Sequence, residues 1–125
     1  MLVNMEETNR FFLLCYNNFG DVMESIDTFR YIVGAYYGIS EMDNYDLKEY
    51  VLKDIEDYIR NYVKENYVNG FDYEEEARKV ESELSLKTKL QDALIVLPRV
   101  NASMELILLV KARLKEIREE ELSEM

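Results

Sequence analysis

Eight apolar residues near the start of the chain, Phe12, Cys15, Phe19, Val22, Ile26, Phe29, Val33 and Tyr36, follow one another at alternating steps of three and four. That spacing keeps one side of an α-helix apolar over many turns. It does not suit a strand, whose side chains change face at every residue. Gly20 lies inside the seam, and Asp21 to Glu24 ("DVME") has the form of a capping box that would open a separate helix. The phase nevertheless passes through Gly20 unbroken, where a corner would reset it. One helix from about Met5 to Tyr37 is expected, about 50 Å long at 1.5 Å per residue. Gly20 weakens it by about 1 kcal/mol relative to alanine.

One proline and four glycines in 125 residues leave little material for turns, so the remaining elements should also be long. Gly38 to Asn44 gathers turn residues. A second helix is expected from about Tyr45 to Val68, with an apolar stripe at Leu47, Val51, Ile55, Tyr58, Ile59, Tyr62 and Val63. Asn69-Gly70 would end it in the left-handed manner. Asp72 then caps a third helix and Glu75 returns the bond. The acids Glu74, Glu75 and Glu76 suit the positive end of that helix dipole. The third helix carries Tyr73, Ala77, Val80 and Leu84, slips phase near Ser85, and continues through Leu90, Leu94 and Leu97 to Pro98. The proline lacks an N–H and breaks or kinks the helix. A fourth seam follows at Met104, Ile107, Val110, Leu114 and Ile117, with Asn101 as its N-cap and a charged tail at about 118–125.

The segment Ala93 to Val110 is the most apolar part of the chain. A membrane span is disfavoured, because Arg99 and Glu105 would each cost about 2.5–3.5 kcal/mol at mid-bilayer. A β-hairpin turned at Pro98 is the alternative that β-branched Ile95, Val96 and Val100 suggest. The persistence of three–four spacing on both sides favours helix, buried on nearly all sides. The expected fold is all-α: a single helical domain over 1–125, a bundle of three long helices plus a fourth after Pro98, with a small hairpin around 93–110 as the alternative.

Chemistry is constrained by what is missing. The chain has no histidine, which removes the usual general base, the usual zinc ligand and every Ser–His or Cys–His nucleophile pair. Cys15, the sole cysteine, sits on the apolar seam as a buried thiol and permits no internal disulfide. Neither G-x-x-x-x-G-K-[ST] nor G-x-G-x-x-G occurs. Carboxylate pairs at Met5 to Thr8, Glu74 to Glu76 and Arg118 to Glu121 leave one catalytic route, a magnesium-dependent helical nucleotide hydrolase. Each pair lies at a helix terminus, and no acid sits on an apolar seam between two hydrophobic turns. No catalytic, cofactor or metal residue is therefore assigned, and no enzyme activity is expected.

The net charge of −11, from 26 acids and 15 bases, argues against direct nucleic-acid binding, which needs a basic footprint. With no basic, apolar start resembling a signal peptide, the expected location is cytoplasmic. Ten tyrosines and six methionines are residue types enriched where proteins meet. Tyr36, Tyr37, Met42 and Tyr45 crowd the first loop and form the candidate partner-binding site. The expected function is a small acidic helical subunit, adaptor or regulator acting through protein–protein contact, with a basic protein partner and self-association as a homodimer. The alternative is an acidic decoy of a nucleic-acid-binding protein, of the sort a virus or mobile element encodes.

Overall fold

The computed structural model describes the backbone of residues 5–43 and 48–124, and the side chains of residues 22–43 and 48–124. Five α-helices run along the described residues: α1 (Met5–Ser40), α2 (Lys48–Glu65), α3 (Tyr73–Glu83), α4 (Leu86–Val96) and α5 (Met104–Ser123). A 3-10 turn at Leu97–Val100 joins the last two, and no strand occurs among the described residues. The all-α expectation is met, and the hairpin alternative for 93–110 is not. No helix among the described residues is long and apolar enough to cross a membrane.

The continuous phase across Gly20 does mark one helix: α1 is a single element of 36 residues. The seam residues Phe12, Cys15 and Phe19, like Tyr45 of the candidate site, lie outside the described side chains. Farther along, Phe29, Ile32, Val33, Ala35 and Ile39 are buried and form the spine on which α2, α3 and α4 lie, while α5 packs on α4.

Specific contacts fix the directions. Tyr62 Oη donates to the Ser25 carbonyl (3.1 Å) and Lys48 Nζ to the Met42 carbonyl (2.7 Å), so α2 runs antiparallel to α1. The Phe29 and Tyr73 rings meet edge-to-face at 4.9 Å and Arg30 pairs with Glu76, so α3 runs parallel to α1. Gly34 faces Asp92 and Gly38 faces Lys89, so α4 is antiparallel to α1. Lys87 pairs with Glu121 at 3.0 Å, closing α4 and α5 into an antiparallel hairpin. The main core joins Ile32, Ile39, Ile55, Leu90, Val96, Leu97, Leu106 and Val110, while Phe29, Val33 and Val80 centre a second cluster under α3.

The close approach of α1 and α4 depends on Gly34 and Gly38, one turn apart. A Cβ at Gly38 would lie 2.8 Å from the Lys89 carbonyl oxygen, and one at Gly34 would lie within the Asp92 carboxylate. Only hydrogen fits at either position, and at Gly38 the two backbones touch.

Several boundaries differ from expectation. The third helix is two helices: Leu84 leaves α3 extended, and Ser85 caps α4 by accepting from the Thr88 N–H at 3.2 Å. The phase slip at Ser85 was the corner. Helix α2 ends at Glu65, short of Asn69-Gly70. Beyond it the Val68 N–H donates to Tyr73 Oη (2.8 Å), and Gly70, at φ 83°, turns the chain so that Phe71 packs on Tyr73. Asn101 is not the N-cap of the last helix. It takes the left-handed conformation (φ 54°) that closes the 3-10 turn, and Ser103 caps α5 by accepting from the Leu106 N–H. The tail expected at 118–125 continues α5 to Ser123, held to α4 by the Lys87–Glu121 pair. Finally, 93–110 is not buried on nearly all sides: Ile95, Met104, Leu108 and Leu109 are exposed.

Candidate functional site

Helices α2 and α3 both lie on α1 but make at most glancing contact with each other. Between them runs an open groove. Its floor is Phe29 and Val33 of α1, and its walls are Ile59 and Val63 of α2 and Tyr73 and Ala77 of α3. The wider part, about 420 Å³, is rimmed by Arg60, Lys64 and Glu74. The narrower part continues to Tyr36, Tyr37 and Glu56. Helix α3 is short, and at its start Phe29, Phe71 and Tyr73 stack edge-to-face against α1.

The structure divides the expected partner-binding residues. Tyr36 and Tyr37 stay together, half-buried, with rings at 5.4 Å and nearly perpendicular, at one end of this groove. Burial pushes the Tyr37 hydroxyl pKa up, and its hydrogen bond to Glu81 adds to the rise. Met42 lies elsewhere, half-buried in a separate cleft of about 430 Å³ whose walls are mostly charged: Glu41, Asp43, Arg113 and Glu116. Tyr45 is outside the described residues. Of the tyrosines on α2, Tyr58 and Tyr62 pack against the core, whereas Tyr50 stands out in solvent.

Other groove residues, Phe29, Ile59, Val63, Tyr73 and Ala77, read in sequence as ordinary seam positions. Nothing local says that a stripe will be left partly uncovered, because that depends on how far apart two neighbours settle.

Two charged groups lie beneath the surface where α4 meets α1. Lys89 is buried, and its ammonium donates to Glu41 Oε1 (2.9 Å) and to the Glu81 carbonyl (2.7 Å). Asp92, 6% exposed, makes no hydrogen bond or ion pair with a described residue, and burial raises its pKa to about 6. It corrects the expectation that no acid would sit between hydrophobic turns. Its neighbours Leu90, Ala93 and Val96 were the available signal. Among the described residues no cluster of three or more acidic or thiol side chains is placed to hold a metal ion. Glu74, Glu75 and Glu76 instead occupy the first turn of α3, where Asp72 accepts from the Glu75 N–H (3.1 Å) and Glu76 pairs with Arg30.

Comparison with protein-family models, with curated proteins and with solved structures returned no match.

Proposed function

We propose that the protein is a non-enzymatic interaction module that takes an amphipathic helix of a partner protein into the groove between α2 and α3. One observation carries this: an open trough walled by Ile59, Val63, Tyr73 and Ala77 over the buried Phe29 and Val33 runs between charged rims on a strongly acidic molecule. An apolar trough bordered by charge accepts the apolar stripe of a helix and aligns it through the rim. Tyr36, Tyr37 and Tyr73 supply rigid rings, the side-chain type that gives contact area at low entropic cost. The net charge of −11 favours a basic partner overall, while Arg60 and Lys64 at the rim match acids directly beside the groove.

The test is capture from native cells on tagged full-length protein, followed by mass spectrometry, with Ala77→Arg as the blocking variant and Leu122→Ala as a control away from the groove. Ala77 is only half-buried, so the variant should fold as judged by its melting curve. A protein held by the parent and the control but lost by Ala77→Arg is the expected result. Identical capture by all three would overturn the groove as the site. Binding that collapses with modest salt would transfer the weight from the floor to the charges, favouring the acidic decoy instead.

A further inference from the structure

The apolar seam of α1 is covered along only part of its length. Val33 and Phe29 are 4% and 3% exposed, Ile26 is half-buried, and Val22 is 38% exposed. The cover fades because the elements that supply it end. Tyr62, in the last turn of α2, reaches the Ser25 carbonyl. The link that follows folds back, so that the Val68 N–H donates to Tyr73 Oη and the Tyr73 ring meets Phe29. Helix α4 faces Gly34 through Asp92 and stops one turn later at Val96, and α5 leads away again beside α4. Among the described residues, the elements packed on α1 therefore turn back by about the level of Val22. The helical backbone of α1 nevertheless continues to Met5, about 26 Å farther at 1.5 Å per residue. Register places Phe12, Cys15 and Phe19 on the same face of the helix as Val22.

A helix whose apolar seam runs on past its own bundle needs a second helix to cover it. We propose that this cover is the same half of α1 from a second copy of the chain, packed antiparallel about a two-fold axis between Cys15 and Phe19. In that register Phe12 stands opposite Val22, and Phe19 opposite Cys15, so each layer sets a large residue against a small one. Parallel pairing would set Phe against Phe and leave Cys against Cys. Charge selects the same partner. Residues 8–20 hold no acid and one base, Arg10, in a chain of net charge −11, so two copies approach here with least repulsion. Antiparallel packing also carries the two acidic bodies to opposite ends of the pair. A two-fold contact of this kind uses one surface twice and closes at two copies.

The experiment is sedimentation velocity on the full chain at low and physiological salt, from about 1 to 200 µM, a range spanning weak association. The parent should dimerise, and the pair should hold or tighten with salt, which screens the repulsion between the acidic bodies. Phe12→Glu/Phe19→Glu should weaken pairing by about a hundredfold or more, while the near-ultraviolet tyrosine signal of the folded bundle persists. On oxidation in air, Phe19→Cys should form a covalent dimer through Cys15 of the other copy. The parent should not, because its two Cys15 positions lie about 6 Å apart along the axis in addition to the spacing of the helices. A monomeric parent, a pair that modest salt dissolves, or a glutamate variant that dimerises as the parent does would each overturn the proposal. So would a parent cross-linked through Cys15, or Phe19→Cys left uncross-linked. A glutamate variant that unfolds would assign the face to the chain's own core and overturn it too. Failure here leaves the groove untouched, since that test turns on Ala77 and reads capture of a different protein.

Discussion

At the scale of single residues, burial decides what a side chain does. Phe29 is 3% exposed and its ring meets Phe71 and Tyr73 edge-on, so Phe29→Ala should cost about 3–5 kcal/mol in denaturant unfolding. A loss below about 1 kcal/mol would mean that the second cluster is not close-packed. Asp92 gives a prediction with a sign. Its folded pKa of about 6 lies above the ordinary 3.8. Between about pH 4 and 6 the folded chain keeps a proton that the unfolded chain has released. Its contribution is therefore fully present below pH 4, falls as pH rises through the window, and is gone above it. Asp92→Asn should match the parent near pH 4 and exceed it by up to about 3 kcal/mol at pH 7, since each pKa unit is worth about 1.4 kcal/mol. Urea titrations of both proteins across that range measure the difference; a pH-independent gap would show that the carboxylate ionises freely.

At the scale of elements, contact between α1 and α4 rests on two missing side chains. Gly38→Ala pushes a methyl against the Lys89 backbone carbonyl, which cannot turn aside, whereas Gly34→Ala meets the Asp92 side chain. The first should cost about 2–3 kcal/mol and the second less. Asp92→Ala should recover part of the Gly34→Ala loss but none of the Gly38→Ala loss, a coupling that a double-mutant cycle reads directly. Equal, additive losses would contradict backbone contact at Gly38. The same helices show what pattern conveys. An unbroken phase through Gly20 marked one rod, while the slip at Ser85 marked a corner that Leu84 and the Ser85 cap build. The Gly-x-x-x-Gly spacing of Gly34 and Gly38 was equally visible, but its meaning appears only when α4 lies across it.

At the scale of the whole molecule, the trough between α2 and α3 stays open beside the finished core. Half of the expected partner site, Tyr36 and Tyr37, sits in the trough, while Met42 faces a different, charged cleft. Crowding along the chain suggested one loop, but Tyr36 and Tyr37 lie on α1 and Met42 follows its end, so the way the chain leaves α1 separates them. Local chemistry settled which segments are helical, where Asp72 and Pro98 interrupt them, and which faces are apolar, because spacing, caps and a missing N–H act over a few residues. Tertiary packing alone decided that Lys89 and Asp92 would be buried, that Leu108 would not, and that α2 and α3 would stand apart. Those outcomes depend on which neighbour reaches a surface first and how closely it can approach, and no single helix carries that information.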